Sequence, residues 1–371
     1  MRTGEEITIT AGELVAGGDA IARIDGFPVF ASGVFPGDVA LVRLSEVKKG
    51  FAKADLVHLV TPSPWRRAEP CPVASTCGGC DWTALRLDKQ LDAKKQILVE
   101  SLRRIGKFDP ASLPEITIHP SPLNYRIRSR LHSDGRAVGF YAMRSNDVVQ
   151  LPEECEVVGV ATAIAASRAD GLAPLSFWEI DGKLIPDRRE ITMRVNEFTY
   201  RLSTDSFFQV NRHLFGTMIR LVTAHAARTE KRHMALDLYA GAGFFTLPLA
   251  QLFERVIAVE GSPESAKYAR INAPRNVRVS ETPVEIHAAR MEEADFIFLD
   301  PPRAGARKEV IDAVGDKARE IICYLSCDPV TFSRDANRLT ASGWRLSTLD
   351  LLDLFPNTHH VETLSSFERA R

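Results

Sequence analysis

Two residues near the C-terminus have the chemistry of a nucleophile and a base. In ICYLSCDPVTFSRD, Cys327 follows a predicted strand, where an accessible thiol could be activated to a thiolate. Glu362, in HHVETL, begins the last predicted strand, and its carboxylate could accept a proton. Each residue alone also has a plainer interpretation, Cys327 as a small filler and Glu362 as an exposed strand-edge carboxylate. Cys323, inside an apolar run, is predicted to be a core residue.

A glycine-rich loop earlier in the chain predicts a nucleotide-type cofactor. Gly241 and Gly243 lie between a buried strand and a helix, which is typical of a ligand loop but also of a simple turn. Thr246 stands where a dinucleotide fingerprint has its third glycine. Glu260 ends the next strand and could accept hydrogen bonds from both ribose hydroxyls, while Asp300, in FIFLDPPRAG, is expected in the same crevice. Together they fit S-adenosylmethionine better than a pyrophosphate cofactor.

The elements that must position these residues form the last part of the chain. From about residue 231, apolar strands alternate with helical segments, which predicts a doubly wound, mostly parallel α/β sheet with its ligands at the carboxyl ends of the strands. The predicted strands are Met234–Tyr239, Arg255–Glu260, Val277–Ser280, Asp295–Leu299, Ile321–Ser326, Trp344–Leu349 and Val361–Phe367.

The N-terminal part has a different pattern. Residues 5–60 alternate short apolar stretches with Gly and Pro turns, which predicts a small antiparallel barrel with strands at Pro28–Ala31 and Asp38–Arg43. The Pro-rich junction TPSPWRRAEPCP ends this unit. Residues 83–107 carry leucines at helical spacing and predict an amphipathic helix.

Two basic segments could contact RNA or simply face solvent. One is a turn that carries Lys48, Lys49 and Lys53. In the other, alternate arginines would line one face of a strand. These are Arg126, Arg128 and Arg130.

Four cysteines have the spacing of a ligand set. Three form a C-x5-C-x2-C cluster and the fourth is remote, and they are Cys71, Cys77, Cys80 and Cys155. Four thiolates could hold zinc or an iron–sulfur cluster, and spacing alone does not choose between them.

Length and composition set the outer bounds. A chain of 371 residues predicts two or three domains. The net charge of −1 means that any nucleic acid must be bound by local patches. No apolar run could cross a membrane and the N-terminus has no secretory pattern, so we expect a cytoplasmic protein.

Taken together, the motifs SCDP followed by RD, DPPR and HVE resemble the class I RNA 5-methyluridine methyltransferases, above all the bacterial branch that acts on 23S ribosomal RNA. The resemblance covers nearly the whole chain. It implies an oligonucleotide-binding (OB)-like TRAM barrel at residues 1–60, a central α+β iron–sulfur domain at 61–200 and a Rossmann-like S-adenosylmethionine-dependent methyltransferase domain at 201–371.

The resemblance also implies roles for single residues. Cys327 would be the nucleophile and Glu362 the base, and the cofactor contacts would come from Gln209, Tyr239, Gly241, Gly243, Glu260 and Asp300. The four clustered cysteines would bind a four-iron four-sulfur cluster. Two positions depart from the family pattern: Ala240 stands where Cys is common, and Asp328 stands where Asn is common. Asp328 could raise the pKa of the neighbouring thiol.

The implied function is methyl transfer to C5 of a uridine in 23S ribosomal RNA through a covalent Cys–C6 adduct. A transfer RNA uridine-54 methyltransferase is the alternative within the same chemistry. An iron–sulfur redox protein with an RNA-binding barrel would leave Cys327 and Glu362 unexplained, and a non-catalytic RNA-binding factor would explain only the barrel. We expect a monomer with RNA as its partner and no membrane association.

Overall fold

Two large β-sheets, one at each end of the chain, organise the computed structural model, which describes residues 1–168, 176–186 and 189–369. The first strands are β1 (Glu6–Thr10), β2 (Ala20–Ile24), β3 (Phe27–Ser32), β4 (Val39–Val47), β5 (Ala52–Thr61), β6 (Ile116–His119), β7 (Arg128–Arg130), β8 (His132–Ser133), β9 (Val138–Tyr141) and β10 (Val148–Gln150). The later strands are β11 (Ser176–Ile180), β12 (Lys183–Pro186), β13 (Glu190–Val195), β14 (Phe198–Ser203), β15 (Met234–Leu238), β16 (Arg255–Glu260), β17 (Val277–Glu281), β18 (Ala294–Leu299), β19 (Ala318–Ser326), β20 (Trp344–Leu352) and β21 (Glu362–Arg369). The helices are α1 (Leu87–Arg104), α2 (Val160–Ser167), α3 (Phe215–Ala226), α4 (Thr246–Ala250), α5 (Pro263–Asn272), α6 (Val284–Ala288), α7 (Lys308–Lys317) and α8 (Pro329–Ala341).

The N-terminal sheet has the strand order β1-β4-β5-β3-β2, and only its β3–β5 pair is parallel. Inside it, the buried carboxylate of Asp38 accepts hydrogen bonds from the backbone N–H groups of Phe35 and Ser63, both at 2.7 Å. Arg66, in the Pro-rich junction, donates to the same carboxylate at 2.7 Å. The Arg66–Asp38 ion pair therefore joins the Pro-rich junction to the N-terminal sheet.

The C-terminal sheet has eight strands in the order β17-β16-β15-β18-β19-β21-β20-β6. Its first five strands are mutually parallel, and β21 lies antiparallel between β19 and β20. All six residues of β18 are buried, because helices cover both faces of the sheet. The predicted doubly wound sheet is confirmed, and the carboxyl ends of β15, β16, β18 and β19 form one edge.

Two elements from the range 61–200 pack with this sheet. Strand β6 pairs in parallel with β20, and α1 packs against α8. The predicted domain boundaries at residues 60 and 200 stay a prediction. Residues 61–200 contribute strands both to the two small sheets formed by β7–β12 and, through β6, to the large sheet. Residues 169–175, 187–188 and 370–371 of the predicted ranges lie outside the described residues.

The alternate arginines do not form one exposed row. The guanidinium of Arg126 lies over the Phe140 ring, 5.6 Å from its centroid, and that of Arg128 lies over Trp178 at 5.5 Å. Of the three, Arg130 is exposed, while Arg126 and Arg128 are half-buried. Aromatic neighbours hold two of the three side chains, and contact of this face with phosphate stays a prediction.

Within the described ranges, no helix has the length and apolar character needed to span a membrane.

Candidate active site

Cys327 and Glu362 are neighbours at the end of two paired strands. Cys327 follows the last residue of β19, and Glu362 is the first residue of β21. Ser326 pairs with Thr363 in the antiparallel ladder, so the next positions along it are Cys327 and Glu362. Glu362 is 4% exposed on an interior strand, which makes the interpretation as an exposed strand-edge carboxylate wrong.

The thiol of Cys327 lies in an acidic environment. Burial raises the pKa of Cys327 to about 12, with further contributions from the carboxylates of Glu362 and Asp300, and the guanidinium of Arg303 opposes them. The pKa of Glu362 is raised well above its ordinary value, first by burial and then by Asp300. Cys327, Glu362 and Asp300 therefore share one site, and the guanidinium of Arg303 favours the charged forms of Cys327 and Glu362.

Asp328, the departure from the family pattern, is used as a helix cap. Its Oδ1 accepts a hydrogen bond of 2.8 Å from the backbone N–H of Thr331, at the N-terminus of α8. The carboxylates that raise the pKa of Cys327 are instead those of Glu362 and Asp300. A carboxylate at a helix N-terminus is stabilised by that helix, so Asp328 has a structural function of its own.

The glycine loop is hydrogen-bonded to Glu260 at the carboxyl end of β16. Gly241 has a φ of +56°, and its N–H donates to Oε2 of Glu260 at 2.8 Å. The backbone N–H of Ser262 donates to Oε1 at 2.6 Å. These bonds fix the orientation of a half-exposed carboxylate whose remaining lone pairs are available to a ligand.

Gln209 and Asp300 are hydrogen-bonded to each other just beyond the carboxyl end of β18. The Nε2 of Gln209 donates to Oδ2 of Asp300 at 3.0 Å. Burial raises the pKa of Asp300 to about 8, aided by Asp237, while this hydrogen bond lowers it. Tyr239, with a φ of +63°, donates its hydroxyl to Glu285 at 3.1 Å.

Phe207 is a residue that the sequence did not single out. Its side chain is 60% exposed, while the adjacent Phe208 is 3% exposed in the core. A Cβ added at Gly241 would lie 3.9 Å from the Phe207 ring. The sequence signal that could have identified Phe207 is the Phe-Phe pair directly before Gln209, in which Phe208 packs in the core and Phe207 does not.

The four clustered cysteines converge in the central part of the chain. Burial raises the pKa of Cys71, Cys77 and Cys80, and the Cys155 thiolate raises each of them further. The guanidinium of Arg126 lowers the pKa of Cys77 and Cys80. Across residues 1–168, 176–186 and 189–369, no group of three His, Cys, Asp or Glu side chains is arranged to hold a single metal ion.

Comparison with known proteins identifies two sequence families. The tRNA (Uracil-5-)-methyltransferase family matches residues 185–294 and 284–369, and the TRAM domain matches residues 2–57. The two segments matched by the methyltransferase family together contain the Gly-x-Gly loop, DPPR, Cys327 and Glu362.

Individual relatives extend over nearly the full chain. An uncharacterized RNA methyltransferase of Aquifex aeolicus is 31% identical, with 98% of each chain covered. The 23S rRNA (uracil(1939)-C(5))-methyltransferase of Edwardsiella ictaluri is 32% identical, with 99% of this chain and 97% of the relative covered. Among solved structures, the Pyrococcus abyssi tRNA (uracil-54, C5)-methyltransferase in complex with S-adenosyl-L-homocysteine matches with a TM-score of 0.73, 21% identity and coverage of 97% and 100%, which shows a shared fold.

Proposed function

The chain belongs to the RNA (uracil-5-)-methyltransferase family, and from this membership we propose that it methylates C5 of one uridine in 23S ribosomal RNA through a covalent adduct on Cys327. The S-adenosylmethionine-dependent activity on RNA follows from the family. The adjacency of Cys327 and Glu362 carries the proposed mechanism.

The reaction needs both residues because C5 of uracil is a weak nucleophile. The Cys327 thiolate adds to C6, and the resulting enolate takes the methyl group at C5 as the sulfur–methyl bond breaks. C5 then carries both a methyl group and a proton. Glu362 removes that proton, the C6–sulfur bond breaks, and Cys327 leaves as a thiolate.

Burial and neighbouring carboxylates raise the pKa of Cys327 and of Glu362, so both charged forms needed for the reaction are disfavoured in the free site. The positive sulfonium that S-adenosylmethionine supplies would favour the charged forms of Cys327, Asp300 and Glu362. We infer that cofactor binding activates the thiol, with Arg303 contributing in the same direction.

The residues of the crevice fit the cofactor. Glu260 would receive the ribose hydroxyls, since Gly241 and Ser262 hold its carboxylate in place from behind. The absence of a side chain at Gly241 leaves the space beside Phe207 open. Gln209, Tyr239, Gly243 and Asp300 would complete the contacts. Phe207 would stack on a planar ring, because its exposed face lies at this opening.

Cys71, Cys77, Cys80 and Cys155 would hold a four-iron four-sulfur cluster. The supporting observation is that the four thiols lie close enough for the Cys155 thiolate to raise the pKa of each of the other three. The half-buried Arg126 beside Cys80 would balance the negative charge of the thiolates. The cluster would stabilise the central region, since this methylation involves no net redox step.

Iron analysis tests the cluster. Protein purified without oxygen should contain about four irons and four sulfides per chain. Cys155→Ser should lose most of both, while Cys323→Ala, which changes a core thiol outside the cluster, should keep them. Zinc in place of iron would contradict the assignment.

The substrate is tested by mapping 5-methyluridine in cells with and without the gene. We expect a position in 23S ribosomal RNA to lose its methyl group and to regain it with the wild-type gene, but not with Cys327→Ala. Loss of the modification from transfer RNA uridine-54, with 23S ribosomal RNA unchanged, would contradict the proposal and establish the transfer RNA alternative.

A further inference from the structure

Asn357 lies in the middle of the loop that leads to Glu362. The loop covers residues 353–361, between the end of β20 and the start of β21. Asn357 is 0% exposed and has a φ of +65°, a conformation that asparagine tolerates better than most residues. A buried polar residue in this conformation needs strong local hydrogen bonding to hold it.

Every polar atom of Asn357 has a partner. Its backbone N–H donates to Oε1 of Gln90 at 2.7 Å, and its carbonyl oxygen accepts from the N–H groups of Asp81 and Trp82 at 3.2 and 3.0 Å. Its Oδ1 accepts from Gln90 at 3.0 Å and from Arg67 at 3.1 Å, and its Nδ2 donates to Oε2 of Glu156 at 2.8 Å.

These partners come from segments that are far apart in sequence. Gln90 is on α1, while Asp81 directly follows Cys80 and Glu156 directly follows Cys155. Arg67 also pairs with Glu156 at 2.7 Å, so the network closes on itself. Asn357 therefore joins the loop before Glu362 to both cysteine-bearing segments.

The rest of the loop is held on either side of Asn357. Before it, Nζ of the buried Lys94 donates to Asp353 at 2.6 Å and to the carbonyl of Phe355 at 2.9 Å. After it, the backbone N–H of His359 donates to Oδ1 of Asp81 at 3.1 Å. Among the hydrogen bonds of this loop in the described part of the chain, the bond from Nδ2 of Asn357 to Glu156 is the one that reaches the residue next to Cys155.

We propose that Asn357 is a positioning residue, whose amide holds the loop so that Glu362 reaches the C5 proton. This inference rests on the proposed function, in which Glu362 acts only after methyl transfer. Loss of the amide should therefore slow release of the methylated RNA and leave the methyl-transfer step nearly unchanged. A general loss of structure would slow both steps together.

The test separates the two steps in a single turnover with labelled cofactor. Asn357→Gly keeps the positive φ without strain, removes the side chain with its amide and leaves the backbone hydrogen bonds in place. We expect methyl transfer within about threefold of wild type and release slowed by roughly 10- to 100-fold, as for a misplaced catalytic group. The methylated enzyme–RNA complex should then resist denaturation by detergent. Asn196→Gly, at another positive-φ asparagine in an exposed turn, should release RNA normally.

A second pair of variants tests the bond itself. Asn357→Asp would place a carboxylate against Glu156 and should also accumulate the complex. Combining it with Glu156→Gln restores a donor opposite an acceptor, and release should recover.

Glu362→Gln distinguishes failure of this inference from failure of the mechanism. If Glu362→Gln accumulates the methylated complex while both Asn357 variants release RNA normally, Asn357 has no positioning role. If Glu362→Gln itself turns over normally, the assigned base is wrong and the inference falls with it. Equal slowing of both steps in Asn357→Gly, or no recovery in the double variant, would also overturn the inference.

Discussion

Cys327 and Glu362 occupy facing positions just beyond the Ser326–Thr363 pair of the β19–β21 ladder. Strand β21 runs antiparallel to β19. The end of β19, just before Cys327, therefore lies beside the start of β21 at Glu362. In the proposed reaction the two groups act on adjacent carbons of one ring. Their adjacency would give each access to the same edge of a uracil base flipped out of the RNA.

The charges around Cys327 predict how its reactivity depends on pH. Because burial, Glu362 and Asp300 raise the pKa of the thiol to about 12, the free enzyme should be alkylated at Cys327 faster as pH rises through the alkaline range. The pKa of Asp300 is raised to about 8, so above this pH its charge disfavours the thiolate. Asp300→Asn should then increase the alkylation rate by about three- to tenfold above pH 8.

Arg303→Gln should have the opposite effect, because the guanidinium lowers the pKa of Cys327. Asp312→Asn, which changes an exposed carboxylate on α7, serves as the control. The rates are measured by mass spectrometry of the peptide that contains Cys327. Equal rates in Asp300→Asn and wild type would show that Asp300 does not act on the thiol.

Glu260→Gln should weaken cofactor binding. The change removes the negative charge that accepts hydrogen bonds from the N–H groups of Gly241 and Ser262 and would accept them from the ribose hydroxyls. Hydrogen bonds to a charged group contribute about 1.5–3 kcal/mol each. We expect the Kd for S-adenosylhomocysteine, measured by calorimetry, to rise about tenfold or more. Glu281→Gln is the matched control, since Glu281 pairs with Glu260 in the sheet and contacts Arg270 instead. An unchanged Kd in Glu260→Gln would exclude this residue from the cofactor site.

The buried carboxylate of Asp38 should be important for stability. Asp38→Ala leaves Arg66, Phe35 and Ser63 without their acceptor, and loss of one member of a buried ion pair costs about 3–5 kcal/mol. Glu6→Ala, which breaks the exposed pair with Arg43, should cost less than about 1 kcal/mol. Thermal unfolding followed by circular dichroism measures both, and equal effects would contradict this account of the junction.

Much of the catalytic sheet could be predicted from the sequence because its strands are short, buried apolar runs. Arg255–Glu260 was predicted to the residue, and the expected start of the last strand lies within one residue of β21. Local patterns of this kind fix strands but not their partners. Strand β6 was missed as part of this sheet because it has four residues and pairs with β20, which is more than two hundred residues later in the chain.

The side-chain environment of the site was harder to predict from the sequence. Period-two spacing placed Arg126 and Arg128 on one face, but the aromatic rings that hold them come from β9 and β11. The sequence placed Asp328 beside Cys327, and the helix it caps directs its carboxylate to Thr331. The ring contacts of the two arginines and the direction of the Asp328 carboxylate depend on the folded structure, and they cannot be inferred from the neighbouring residues in the sequence.

The covalent role of Cys327 is the central claim, and RNA with 5-fluorouridine at the target position tests it most directly. Fluorine cannot leave C5 as a proton does, so after methyl transfer the enzyme should stay bonded to C6. We predict a detergent-resistant complex that contains the labelled methyl group, with the RNA attached to the peptide carrying Cys327, and no complex with Cys327→Ala. Active enzyme that methylates ordinary uridine but forms no such complex, or a complex through another residue, would contradict the mechanism.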